Sequence, residues 1–264
     1  MLRSKAIQPK RYKTFGSCIF CGSTENLTDE HIIPEALSGV GQLVLEKGTC
    51  RTCNNFANEA YEQTALNEDL APIRHILELR RKKRGSKSKP RELPKVSYDV
   101  DTHPSRTEMT EHLAVENYPQ IYTFAIHAPA GKLTGEDRSD GIEGLKVGFL
   151  HLGLKNRIEP YRVRTALPMR FGSTEMVVAK MAYCYAVAEH GMKMFDTSEI
   201  RDLLLGHRSD VFNFVGSILI DEKLPMLGLH KFYMRKRGNL NTVIVHLFAS
   251  FGGPKHEVVI GPDL

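Results

Sequence analysis

The chain has no apolar run approaching the roughly 20 residues that a membrane-crossing helix needs, which excludes a helical membrane span. Its first residues, MLRSKAIQPKRYKTFGS, are basic but lack the apolar stretch of a secretory signal, so a cytoplasmic location is expected. Internal repeats are absent too, which excludes an array of like units. Cysteine is scarce, with five in 264 residues, but four of the five fall into two Cys-x-x-Cys pairs: Cys18 with Cys21, and Cys50 with Cys53. In a reducing compartment that pattern favours a metal over disulfides. What remains is the composition of an ordinary globular protein, 41% hydrophobic and 25% charged, long enough for two modest domains.

Charge is unevenly spread. Residues 1–95 hold 17 Lys and Arg against 11 Asp and Glu, a balance of +6, whereas the remainder balances at −1. Basic charge beside a metal module suggests a polyanionic partner, most simply nucleic acid. Much of it lies in RRKKRGSKSKPRELPK, residues 80–95, a polar stretch with Gly85, Pro90 and Pro94. It divides the chain into an N-terminal module (1–84), a linker (85–95) and a C-terminal domain (96–264). The run Arg80, Arg81, Lys82, Lys83 and Arg84 reads either as a solvated helix tail or as a set of phosphate contacts.

In the first module, NNFANEAYEQTALN places Phe56, Ala57, Ala60, Tyr61 and Ala65 at helical spacing, so a helix is predicted to start just after Cys53, with Pro72 interrupting it. Beyond the linker, QIYTFAIHA, LKVGFLHLGL and PYRVRTAL read as strands. STEMVVAKMAYCYAVAEHG reads as a buried helix ending at Gly191, and a short helix, SEIRDLLLG, follows. HKFYMRKRG and NTVIVHLFAS suggest a hairpin around Gly238-Asn239. The fold class expected is α+β. The nine histidines beyond the linker show no ligand spacing and read as structural or exposed, and Cys184 reads as a small apolar filler.

The two cysteine pairs are separated by 28 residues. Four thiolates satisfy a tetrahedral Zn²⁺, and a closed site of that kind braces a segment too short to fold on its own core while doing no chemistry itself. His31 lies between the pairs, after Asp29-Glu30 and before Ile32-Ile33-Pro34. With four thiolates filling the zinc shell it is either a core filler or a catalyst, and the Asn directly after the last cysteine, Asn54, favours the catalyst.

The order Cys18-x-x-Cys21, Glu30-His31-Ile32-Ile33-Pro34, Cys50-x-x-Cys53-Asn54 resembles the HNH endonucleases of the ββα-metal superfamily that are braced by a Cys₄ zinc. It is also similar to the motif order of the phage recombination endonuclease that resolves DNA junctions. The resemblance covers residues 15–66 and implies an N-terminal ββα-metal nuclease domain followed by a mixed α+β domain for targeting, regulation or self-association. It implies His31 as the general base that takes a proton from the attacking water. Glu30 and Asn54 would bind one divalent ion, Mg²⁺ or Mn²⁺, with Asn54 at the start of a helix whose N-terminus favours phosphate. Asp29 is the alternative to Glu30, and Asn55 and Asn58 are alternatives to Asn54. A hard cation neutralises the phosphodiester oxygens, and a neutral imidazole suits water activation at neutral pH. The expected products are a 5′-phosphate and a 3′-hydroxyl. The middle Asn of the family pattern is missing from SGVGQLVLEKGT, residues 38–49, so Gln42 or a main-chain carbonyl would have to orient His31.

Two functions compete. One is a metal-dependent endonuclease acting on double-stranded DNA. The other is a zinc-dependent nucleic-acid-binding protein that does not cut, for which the Cys₄ module and the basic run would suffice. Glu30-His31 with Asn54 is the feature that a mere binder has no need of.

Overall fold

In the computed structural model, residues 9–38, 42–77, 79, 96–100, 107–111, 121–151, 162–165, 171–219 and 228–264 are described. The basic run Arg80–Arg84 and the linker 85–95 lie outside them.

The N-terminal part is built on a hairpin that feeds a helix. Strand β1 (Lys10–Tyr12) runs parallel to β3 (Leu43–Cys50), and β2 (Leu27–His31) pairs with β3 antiparallel, giving the order β1-β3-β2. β3 runs straight into α1 (Arg51–Ala57), so β2, β3 and α1 supply the expected ββα unit. α1 starts three residues earlier than predicted. Cys50 is its cap, and its sulfur accepts a hydrogen bond from the Cys53 amide at 3.5 Å.

The helical path then leaves the α spacing. Two π-helical turns, Asn58–Glu62 and Ala65–Asp69, follow α1 and precede α2 (Ala71–Ile76), which carries Pro72 in its first turn, where the missing amide costs little. Each π turn widens the repeat, so the buried face is Ala57, Tyr61, Glu62, Ala65 and Leu70. Phe56 and Ala60 of the predicted stripe are exposed.

The C-terminal part follows its predicted pattern closely. Strands β4 (Val96–Val100) and β5 (Thr107–Glu111) precede β6 (Ile121–Ile126), the single-turn helix α3 (Gly131–Thr134), β7 (Lys146–His151) and β8 (Arg162–Thr165). β6 pairs with β7, and β4 lies between β5 and β8. α4 (Ser173–His190) ends at Gly191, whose φ of 87° is one that glycine adopts without strain. α5 (Ser198–Leu204), α6 (Val211–Phe214), β9 (Val215–Ile218), β10 (Lys231–Arg237), β11 (Leu240–His246) and β12 (Lys255–Pro262) complete the chain. The last four strands form one antiparallel sheet, β10-β11-β12-β9, with the predicted hairpin turning at Gly238-Asn239 between Arg237 and Leu240. Among the described residues no helix is long and apolar enough to cross a membrane.

α4 is the shared support. It packs against β9 to β12 on one side and against the π-helical turns of the N-terminal part on the other. Tyr183 donates its hydroxyl to the Ile19 carbonyl at 2.5 Å and stacks near Phe20, while Arg201 Nε on α5 donates to the Phe20 carbonyl at 2.6 Å. Lys10 pairs with Glu189 at 2.8 Å. The buried side chains form one continuous cluster from Tyr12 to Ile260. The core therefore runs on across the division expected at the basic stretch.

His230 bridges the two parts in the same way. Its Nε2–H donates to the Leu37 carbonyl at 2.9 Å, and its Nδ1 accepts from the Phe248 amide at 3.3 Å, a pair of bonds that only the neutral ring can make. Burial pulls His230 down to about 4, and burial next to His127 and His246 pulls His256 to about 3. Both folded values lie below the ordinary imidazole value of about 6.5. The unfolded chain therefore binds protons that the folded one refuses. The stability attached to the neutral rings is complete above that ordinary value and drains away as pH falls toward the folded values, by up to about 1.4 kcal/mol per pH unit for each ring. Urea-denaturation midpoints should fall between roughly pH 7.5 and pH 5. His230→Gln should be less stable at the higher pH but show a shallower fall; a pH-independent wild-type midpoint would refute this account.

Candidate functional site

The two Cys-x-x-Cys turns converge. The ligand atoms of Cys18, Cys21, Cys50 and Cys53 all lie within 4.8 Å of one another, and Cys21 and Cys50 sulfurs are 3.6 Å apart, a spacing compatible with four thiolates around one tetrahedral zinc. The first turn closes through Cys18 N–H to Ser23 O at 2.7 Å and Gly22 N–H to Cys18 O at 2.9 Å. It hooks onto β3 through Ile19 N–H to Gly48 O at 2.9 Å. Burial alone would push the Cys18 thiol up, but backbone amides of Cys21, Cys50 and Phe20 outweigh it and bring it down to about 7, favouring the thiolate that a metal needs. The cluster is the only such group of metal-ligating side chains found among the described residues.

β2 presents the next residues in alternation. Asp29 is exposed, Glu30 is buried and His31 is half-buried, so adjacent side chains point to opposite faces of the strand. Asp29 is occupied on its own face: Oδ2 accepts from Arg11 at 2.8 Å and Oδ1 from the Lys47 amide at 3.1 Å, which holds its carboxyl below the ordinary range. The backbone there is irregular, with a register shift between Thr28 and Glu30 and Lys47 at φ 47°. Gly48 follows for a steric reason. A Cβ at that position would meet Leu45 at 2.7 Å and the Glu30 Cβ at 3.1 Å.

Glu30 turns into the protein. Its Oε1 lies 2.7 Å from Lys180 Nζ, and the same ammonium lies 2.8 Å from Glu62 Oε1. The side chains of Glu30, Lys180 and Glu62 are 2%, 6% and 12% exposed. Burial would pull the ammonium down, but the two carboxylates outweigh it and hold it well above the ordinary lysine range. Cys184, one helical turn after Lys180, is fully buried beside this group, and burial pushes its thiol up.

His31 has its Nδ1 buried without a hydrogen-bond partner among the described residues, so neither Gln42 nor a described main-chain carbonyl bonds that nitrogen. The Gln42 main-chain carbonyl accepts from the Lys10 amide at 2.9 Å. Asn54 is half-buried and is the fourth residue of α1, whereas Asn55 and Asn58 are exposed. The structure thus groups the four cysteines as expected, draws Glu30 away from the face of His31, and adds two residues that the motif reading did not single out. A signal for one was present: Lys180 is the lone cation inside an otherwise apolar helical stretch, MVVAKMAYCYAVA, and such a residue is buried only when paired.

A catalytic divalent ion fits the expected ligands only in part. Asn54 offers a half-buried amide oxygen, but the Glu30 carboxylate is committed to an ammonium and closed off from solvent.

The comparisons with known proteins agree with the motif order. The family of HNH endonucleases matches residues 18–70, which take in all four cysteines, Glu30, His31, Asn54 and Glu62. No curated protein and no solved structure matches the chain.

The cluster predicts that protein prepared without added metal carries about one zinc per chain by elemental analysis. Cys50→Ser should lose that metal while its hydroxyl still caps α1, so a thermal midpoint lowered by several degrees, or a failure to fold, reports the loss of the metal. A stable, metal-free wild-type chain would rule the brace out.

Proposed function

We propose, on the premise that residues 18–70 form an HNH endonuclease domain, that the chain hydrolyses phosphodiester bonds in double-stranded DNA. The observation that carries this reading is the strand-borne Glu30-His31 pair in front of a helix that begins at a four-cysteine cluster, all within the matched residues. In this reading the zinc is structural. It ties the Cys18–Cys21 turn to the start of α1 and so sets the distance between β2 and Asn54. His31 is the general base, and its half-buried position at the end of β2 leaves the ring partly open to an incoming water. A Mg²⁺ or Mn²⁺ ion supplies charge neutralisation at the phosphate when bound. Asn54, half-buried on α1, would hold it, and Glu30 can join only by leaving Lys180. The products follow as a 5′-phosphate and a 3′-hydroxyl, made in the cytoplasm.

A second reading, a zinc-braced nucleic-acid binder that does not cut, is favoured by one observation: the acidic partner of His31 is already neutralised by a lysine of the same chain. Supercoiled plasmid incubated with the purified full-length protein and Mg²⁺ or Mn²⁺ separates the two. His31→Ala should abolish nicking and linearisation while leaving zinc content and DNA affinity intact. Cleavage that survives the substitution would remove His31 from the mechanism, and a wild type that binds without cutting would favour the binder.

The basic run supplies the electrostatic part of either reading. Neutralising Arg80, Arg81 and Lys82 together should weaken binding about equally for all DNA sequences and flatten its salt dependence, with a loss of roughly one contact per charge removed. Unchanged affinity and salt slope would make the run a solvated linker.

A further inference from the structure

The group Glu30–Lys180–Glu62 draws on three separate elements: β2, the first π-helical turn and α4. Glu62 and Lys180 are 118 positions apart. Lys180 lies outside the residues matched to the nuclease family, so the C-terminal part inserts a cation into the interior of the N-terminal one. Three features of the fold serve this arrangement. Gly48 leaves room for Glu30; the π turn brings Glu62 to the inner face together with Tyr61; and among the described residues the ammonium has the two carboxylates as its ion-pair partners in the apolar surroundings of α4.

Stability alone does not account for such a group. A buried ion pair is often matched or bettered by apolar side chains of similar volume, because desolvation consumes the Coulombic gain. Two carboxyl groups share one ammonium, and burial pushes the Glu30 carboxyl up, whereas one divalent cation carries the charge to match both carboxylates.

We propose that Lys180 is a positioning residue of the nuclease site, whose ammonium holds Glu30 inward in place of a divalent cation, so that loading of metal at Glu30 is a competition between the two cations. The proposal rests on the nuclease reading of residues 18–70 and deepens it by giving that site a regulator carried on α4. In the arrangement described here Glu30 is withheld, and α4 must yield Lys180 for Glu30 to take up a metal. The C-terminal part then acts on the same carboxylate that the motif contributes, and the two parts form one functional unit.

The test is Mn²⁺ binding to the zinc-loaded full chain, followed by the loss of the free Mn²⁺ paramagnetic signal, which reads metal occupancy without reference to cleavage. Lys180→Met should tighten Mn²⁺ binding by roughly tenfold or more, the least expected when a unit positive charge a few ångströms away is removed at an effective dielectric near 20. Adding Glu30→Gln to that variant should abolish the gain. Because Lys180→Met leaves two carboxylates buried without a cation and so threatens folding, the double variant Lys180→Met/Glu62→Gln serves as a second probe. It retains the net charge of the native group and should bind Mn²⁺ more tightly than Glu62→Gln alone, with near-ultraviolet circular dichroism and zinc content confirming the fold. Unchanged or weaker Mn²⁺ binding in a folded variant, or a gain that Glu30→Gln leaves intact, would overturn the proposal and leave Lys180 a structural cation. A wild type inert toward plasmid would count against the nuclease reading but not against this competition, since the two are measured separately.

Discussion

An ammonium enclosed by protein has to be paired, and in this chain that requirement joins the two ends of the sequence. Lys180 meets Glu30 and Glu62 at 2.7 and 2.8 Å with scarcely any solvent contact. Removing one partner from a buried pair of this kind costs about 3–5 kcal/mol, a large share of the stability of an ordinary domain. Neighbouring elements fit around this group: a Cβ at Gly48 would crowd Leu45 and Glu30, the helix after Cys53 departs from α geometry, and α4 is apolar around its single cation. The hydrogen bonds from Tyr183 and Arg201 to the carbonyls of Ile19 and Phe20 extend the same attachment to the cysteine turn.

What could be read from the residues was whatever is local. The two Cys-x-x-Cys turns, the hairpin at Gly238-Asn239, the stop at Gly191 and the apolar helix between them follow from spacing and from the backbone preferences of glycine, and the structure has each in its expected place. The π turns were illegible because a widened helical repeat leaves the same residue types in nearly the same order. The continuous core was hidden for another reason. A polar stretch with two prolines reads as a boundary, and nothing in its composition reveals that Tyr183 and His230 reach across to Ile19 and Leu37. Within the site, the cysteines were legible as a set, but the partner of Glu30 was not. Sequence spacing carries no information about a contact that spans most of the chain. The lone Lys180 in an apolar stretch was a visible anomaly whose partner only the fold could identify.

The orphaned nitrogen of His31 belongs to the same account. The middle Asn of the HNH pattern is absent, and His31 Nδ1 is buried with no partner in its place among the described residues. An imidazole whose second nitrogen is unbonded has neither its tautomer nor its orientation fixed. On the nuclease reading, the module is well defined as a scaffold and its acidic ligand is withheld in this arrangement.

That contrast bears on why one carboxylate would serve two masters. A metal ligand that must meet a phosphate needs an open oxygen, whereas a residue that anchors α4 needs a closed one. Glu30 cannot do both at once, so on the nuclease reading taking up a metal means breaking its pair with Lys180, at the cost of leaving that ammonium with one carboxylate fewer. Functional sites commonly sit in such conflict with the fold around them. Here the conflict falls on a residue whose partner comes from outside the matched domain, so the remainder of the chain can set the balance. A free N-terminal fragment would lack Lys180 and the Tyr183 and Arg201 anchors alike, losing the restraint and the support together. Regulation and folding of the module are then not separable by trimming the chain, only by changing the charge at one side chain of α4.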